Sequence, residues 1–147
     1  MSQVLFLCTG NYYRSRYAEI LFNSHATTLA LPVRADSRGL MVDVYGHYNI
    51  GPMAAEAAAR LRARGIDCPT KVRPPRQLAE DDLTRAELIV ALKELEHRPM
   101  VLERFPAWHP RIVYWHVDDI GDCPVEDALS AIDREMEALL TRWKSPT

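Results

Sequence analysis

At 147 residues, with 48% hydrophobic and 26% charged side chains, the chain is long enough to bury one full core without disulfides or metals. A formal net charge of -2 argues against nucleic acid or an anionic membrane as the main partner, and no apolar run approaches the ~20 residues of a membrane helix. Three cysteines, Cys8, Cys68 and Cys123, lie far apart in sequence, which argues against both a disulfide scaffold and a zinc cluster. In chain order, Val4, Leu5, Phe6 and Leu7 read as a buried strand, and Ala18, Leu21, Phe22, His25 and Leu29 then recur at helical spacing until Leu31 and Pro32 stop them. Residues 33–37 read as a second strand. Pro52 opens a second helix that turns Ala54, Ala57, Ala58 and Leu61 inward, leaves Arg60, Arg62 and Arg64 in water and is capped by Gly65. Arg73, Pro74, Pro75 and Arg76 form an extended connector. Residues 88–92 are the clearest buried strand, a helix is expected around 99–105 and a fourth strand over 111–116. Val125, Ala128, Leu129, Ile132, Met136, Leu139, Leu140 and Trp143 mark a long final helix. This alternation predicts one α/β domain over residues 1–147, a doubly wound four-stranded parallel sheet with helices on both faces. No basic region precedes the first apolar run, so a cytoplasmic location is expected.

The chemistry concentrates where the first strand ends. Cys8 stands at the mouth of a short loop, Thr9, Gly10, Asn11, Tyr12 and Tyr13, that closes with Arg14 and Ser15 at the head of the first helix. Five residues between the cysteine and the arginine suffice to curl successive backbone N–H groups toward a point above the sulfur, a geometry that binds anions. The helix adds the positive end of its dipole, which attracts a phosphoryl dianion and favours the thiolate. Arg14 carries a planar, always protonated fork suited to two phosphoryl oxygens, and the Ser15 hydroxyl can donate to the sulfur. Gly10 and Asn11 supply the unusual dihedrals that a tight loop requires. Cys8 is therefore expected to act as a nucleophile toward phosphorus.

The run from Cys8 to Ser15 resembles the low-molecular-weight protein tyrosine phosphatases, whose loop reads Cys-x-Gly-Asn-x-x-Arg-Ser, and it matches every fixed position. Weaker likenesses extend along the chain: Asp36 and Ser37 with Gly39, the run Arg64-Gly65-Ile66-Asp67, and Arg76-Gln77-Leu78 ahead of Glu80-Asp81-Asp82-Leu83. Arg16 stands where the family usually has proline, and Tyr13 where some relatives carry a second cysteine that protects the first by a disulfide. The resemblance implies hydrolysis of phosphomonoesters, most plausibly protein phosphotyrosine, through a phosphocysteine and without metal or other cofactor. It also implies that Ser37 braces Asn11.

Such a reaction needs an acid to protonate the leaving oxygen, and an Asp beyond the fourth strand is the natural source. The family places it in an Asp-Pro pair; Asp119 occupies the matching position with Ile120 in place of the proline, and adjacent Asp118 is a rival. The expected catalytic residues are thus Cys8, Arg14 and Asp119, with Thr9, Gly10, Asn11, Tyr12, Tyr13, Ser15 and Tyr48 expected to bind substrate. Tyr45 is a further candidate for the pocket wall. His25 is expected to be a packed side chain, His97 and His109 carry no catalytic expectation, and His116 is a candidate modulator of the neighbouring carboxylates. The partner is a phosphorylated protein or a small phosphomonoester, and the tyrosines at the mouth could also form a homodimer contact. Two other readings stay open: an arsenate reductase served by an external thiol, and a non-catalytic binder of phosphorylated ligands.

Overall fold

Along the first strand, β1 (Ser2–Cys8), Val4 and Phe6 enter one hydrophobic cluster while Leu5 and Leu7 enter another. Successive strand side chains point to opposite faces, so an apolar run on both parities requires cover on both sides. The computed structural model, which describes residues 2–68, 73–119 and 121–143, supplies that cover. β1 leads through a loop into α1 (Arg14–Thr28), then β2 (Val33–Gly39), a single turn α2 (Val42–Tyr45), α3 (Ala55–Ala63) and α4 (Glu80–Arg85). β3 (Leu88–Ala91), α5 (Glu94–Arg104), β4 (Ile112–Tyr114) and α6 (Val125–Leu140) complete the fold. The four strands are all parallel in the order β2-β1-β3-β4, which makes the expected doubly wound sheet. One cluster packs Val4, Phe6 and Val90 against α1, α3 and α6, and the other packs Leu5, Leu7 and Ile89 against Leu83 and Val101. Among the described residues no helix is long and apolar enough to cross a membrane.

Several boundaries differ from the sequence reading, each for a local reason. α5 starts at Glu94, five residues before the expected 99, and keeps Pro99 inside it. Pro99 lies in the second turn on the exposed side, where it forgoes only the bond to the Leu95 carbonyl. α2 and α4 are too short to show a hydrophobic period. β4 is confined to three residues because a 3-10 segment, Pro106–Arg111, occupies the stretch before it. Trp143 lies beyond α6 yet still meets the Phe22 ring edge-on at 5.6 Å. Gly65 caps α3 as expected, with a φ of 74°.

Of the three arginines expected in water, Arg62 and Arg64 are exposed, whereas Arg60 is half-buried. The Tyr17 hydroxyl donates to Asp133 Oδ1 at 2.7 Å and accepts from Arg60 Nε at 3.1 Å and Arg64 Nη1 at 3.2 Å. Arg60 Nη2 also reaches Asp133 Oδ2 at 2.8 Å. This cluster ties α1, α3 and α6 together beside the apolar contacts of their shared core.

Gly39 sets the distance between the sheet and the loop after β1. A Cβ there would lie 2.4 Å from Val42 Cγ2 and 2.9 Å from both the Asn11 nitrogen and the Thr9 oxygen. Two of these atoms are backbone and cannot step aside. Gly39→Ala is therefore expected to lower stability by about 1–3 kcal/mol, read as a drop in thermal midpoint, and Val42→Ala in the same chain should restore only part of it.

Candidate active site

The carboxyl end of β1 delivers Cys8 to the crevice beyond the sheet, where open α/β folds place their ligands. The loop that follows is anchored from outside: Leu40 N–H donates to the Cys8 carbonyl at 2.8 Å and Met41 N–H to that of Thr9 at 2.9 Å. Asn11 adopts a φ of 51°, a left-handed conformation that asparagine tolerates better than most residues. Its buried side chain uses all its capacity. Nδ2 donates to Ser15 Oγ at 2.9 Å and Ser37 Oγ at 2.8 Å, while Oδ1 accepts from Arg73 Nη1 and the Arg76 N–H, each at 3.0 Å. Ser37 therefore does meet Asn11. Ser37 in turn donates to Glu19, and Arg73 Nη2 reaches Ser37 O at 2.6 Å and Asp36 Oδ1 at 3.0 Å.

Ser15 Oγ lies 2.9 Å from Cys8 Sγ. Because Asn11 already donates to that oxygen, the serine's own proton is left for the sulfur. Arg16, beside it, is buried rather than exposed. Its Nη2 donates to the Arg73 carbonyl at 2.8 Å, so the residue that replaces the family's proline helps hold the connector against the back of the loop.

Arg14 is 1% exposed. Its Nη2 donates to Glu96 Oε2 at 2.6 Å and its Nη1 to Glu96 Oε1 at 3.2 Å and to the Val117 carbonyl at 3.0 Å. Asp119 Oδ2 lies 3.4 Å from Nη2, and Nε has no partner. Glu96 is itself crowded with donors. Thr9 Oγ1 donates to its Oε2, and His97 Nε2 sits 3.1 Å from that oxygen and 3.1 Å from Thr9 Oγ1. The Lys93 N–H donates to His97 Nδ1 at 3.0 Å, so the ring carries its proton on Nε2. Burial works against the Glu96 charge, but the bonds from His97 and Arg14 hold its carboxyl well below the usual carboxylate range.

The two rival acids are separated. Asp118 Oδ1 pairs with Lys93 Nζ at 2.6 Å, and that lysine lowers the Asp118 pKa. Asp119 instead lines a cleft of about 450 Å³ together with Cys8, Arg14, Thr9 and Gly10. Tyr12, Tyr13, Tyr45 and Tyr48 form its aromatic walls, with Asn49 over Gly10. The Tyr12 hydroxyl donates to the Ile50 carbonyl and the Ala54 N–H to the Tyr12 carbonyl at 2.8 Å, which ties the loop to the stretch between α2 and α3. Tyr13 is 3% exposed; burial, with the charges of Cys123 and Asp119, pushes its phenol up to about 12.

The comparisons with known proteins fit this geometry. The family model described as "Low molecular weight phosphotyrosine protein phosphatase" matches residues 3–142. The chain belongs to that family. A low molecular weight protein tyrosine phosphatase from T. tengcongensis is 25% identical, with a TM-score of 0.78 over 97% of this chain and 99% of the other. YfkJ from Bacillus subtilis is 27% identical, with a TM-score of 0.81 over 97% and 94%. YwlE arginine phosphatase from Geobacillus stearothermophilus, 24% identical with a TM-score of 0.70 over 97% and 95%, shares the fold. No curated protein sequence matches at a significant level.

Of the residues that the sequence singled out for this phosphatase, Cys8, Thr9, Gly10, Tyr12, Tyr13, Arg14, Tyr48 and Asp119 meet in the cleft. Asn11 and Ser15 do not line it; their side chains are spent beneath the loop, because a tight left-handed turn needs that bracing more than the ligand needs another donor. His116 is exposed beside Glu94 and Arg98, and Lys93 rather than His116 meets Asp118. Ile120 lies outside the described residues. Sequence reading missed Glu96, His97, Lys93 and Asn49. The first three follow the buried third strand directly, and the rule that ligands sit beyond strand carboxyl ends would have pointed to them. Among the described residues no group of three or more His, Cys, Asp or Glu is placed to hold a metal ion.

Two measurements check the anchoring of Arg14. Glu96→Gln leaves a buried guanidinium without its counter-charge and should lower stability by about 3 kcal/mol, while inorganic phosphate should raise the mutant's thermal midpoint by more than it raises the wild type's. Burial lowers the His97 pKa, so below its unfolded value of about 6.5 the unfolded chain binds the proton that the folded chain refuses. Stability should fall as the pH drops from about 7 to 5, and His97→Gln should flatten that part of the profile.

Proposed function

We propose that this phosphatase hydrolyses protein phosphotyrosine through a phosphocysteine on Cys8, with Arg14 binding the phosphoryl group and Asp119 as general acid and base. The observation that carries the reading is the state of Arg14. Glu96 and Val117 take its far edge, leaving Nε, beside the cysteine loop, as a donor without a partner inside the protein. Phosphoryl oxygens complete that fork, and the loop N–H groups bind the remainder.

In the first step the Cys8 thiolate attacks phosphorus, an S–P bond forms and the P–O bond to the leaving group breaks. Asp119 gives its proton to the departing oxygen, which leaves as a phenol. In the second step the Asp119 carboxylate takes a proton from water, the oxygen of that water attacks phosphorus, and the S–P bond breaks to return the thiolate and release phosphate. Asp118 is poorly suited to this role because Lys93 stabilises its anion. The walls of Tyr12, Tyr45 and Tyr48 favour an aryl phosphate over a small polar one, since aromatic rings gain from stacking a planar group. Neither Cys68 nor Cys123 lines the cleft, which disfavours thiol relay chemistry of the arsenate reductase kind.

Cys8→Ser should abolish hydrolysis of p-nitrophenyl phosphate while keeping phosphate as a ligand. Asp119→Asn should reduce kcat/KM for phenyl phosphate, a poor leaving group, by about a hundredfold or more and that for p-nitrophenyl phosphate far less; Asp118→Asn should not produce this split. Equal losses on both substrates would remove Asp119 from the acid's role.

A further inference from the structure

The loop residue before Arg14 is a tyrosine whose ring lies in the helix-side core and also lines the cleft. Among the described residues, four buried side-chain polar atoms have no hydrogen-bond partner: the Tyr13 hydroxyl, Arg14 Nε, and Nε and Nη1 of Arg16. Arg14 Nε awaits a phosphoryl oxygen in the reading above. Arg16 is turned away behind the loop. Tyr13 is the second cleft-lining residue with an unsatisfied buried side-chain atom, its hydroxyl, and packing alone does not account for that atom, because phenylalanine would fill the same core space without a polar atom to bury. Its high pKa keeps it a donor throughout the working range. Asp119 lines the same cleft as Tyr13, and the charges of Cys123 and then Asp119 bear on this phenol.

We propose that Tyr13 is a positioning residue for the acid: its hydroxyl donates to one oxygen of the Asp119 carboxyl group once a phosphoryl group occupies the loop. This rests on Asp119 being the acid. In the resting protein Asp119 Oδ2 leans toward Arg14 Nη2 at 3.4 Å, a long contact that a phosphoryl dianion displaces by claiming Arg14 and repelling the carboxylate. The displaced group finds in Tyr13 a donor that nothing else uses. The carbonyl oxygen of a carboxylic acid is a better acceptor than its hydroxyl oxygen, so a hydrogen bond from Tyr13 favours the arrangement in which the protonated oxygen faces the leaving group. In the second step the same bond holds one carboxylate oxygen while the other takes the proton from water. Tyr13 keeps its own proton in both steps.

The test is a double-mutant cycle. kcat/KM for phenyl phosphate and p-nitrophenyl phosphate, and inhibition by inorganic phosphate, are measured for wild type, Tyr13→Phe, Asp119→Asn and the double variant. Tyr13→Phe should cost about tenfold on phenyl phosphate, little on p-nitrophenyl phosphate, nothing in phosphate inhibition, and nothing further in the Asp119→Asn background. Its thermal midpoint should equal or exceed that of wild type, because the hydroxyl it removes is unpaired. Kinetics unchanged from wild type, equal losses on both substrates, additivity with Asp119→Asn, or a lowered midpoint would each overturn the role of Tyr13. If Asp119→Asn itself shows no leaving-group split, the acid assignment fails and this proposal falls with it.

Discussion

A guanidinium that is 1% exposed cannot stay in a protein interior without a counter-charge and bonds for its N–H groups, and Arg14 governs the arrangement of everything around the cleft for that reason. Glu96 supplies the charge from the first turn of α5, and the Val117 carbonyl supplies a second acceptor from the segment after β4. One side chain thereby joins the loop after Cys8, the helix after β3 and the segment that carries Asp119. These meet because the three strands that precede them are neighbours in the sheet. Glu96 in turn needs its donors from Thr9 and His97, so the loop beside the cysteine is bound into the same cluster.

Beneath the loop a second layer does the same work with neutral groups at its centre. Asn11 has no spare capacity: Ser15 on α1, Ser37 on β2, and Arg73 and Arg76 on the connector restrain it from three segments. The layer is braced further by Glu19 and Asp36, whose charges Arg73 and Arg38 offset. Burial alone would push both carboxylates up. Asp36 gains enough hydrogen bonds to be lowered overall, whereas Glu19 does not. A loop fixed from both sides presents its N–H groups without reorganisation, which is what stabilising a transferring phosphoryl group asks of it.

The segment after β4 carries Asp118 and Asp119, both partly exposed, which pair with Lys93 and Arg14 respectively. Their separation by a single lysine is what turns two adjacent carboxylates of equal chemistry into one that remains an anion and one that faces the cleft. Two of the aromatic walls, Tyr12 and Tyr13, belong to the loop itself, and two, Tyr45 and Tyr48, to the α2 turn and the residues after it, a stretch joined to the loop through the Tyr12 hydroxyl and the Ile50 carbonyl.

By itself the sequence determined the sheet and its longer helices, because hydrophobic pattern is a property of neighbouring residues: the apolar run of β1, the buried run at β3 and the long stripe of α6 are all legible locally. It also determined the loop from Cys8 to Ser15, since a spacing of five residues with Gly10 and Asn11 between specifies its own curvature. The partners of Arg14 and Asn11 were not legible. Glu96 and Arg73 lie 82 and 62 residues away from those two side chains, and no local pattern marks which of many charged residues will reach a given point. Only the tertiary structure decided that Lys93 takes Asp118 and leaves Asp119 to the cleft, and that Tyr13 keeps a buried hydroxyl beside it. Those choices follow from how strands order across a sheet and where burial leaves a polar atom without water, and neither is a property of any short stretch of chain.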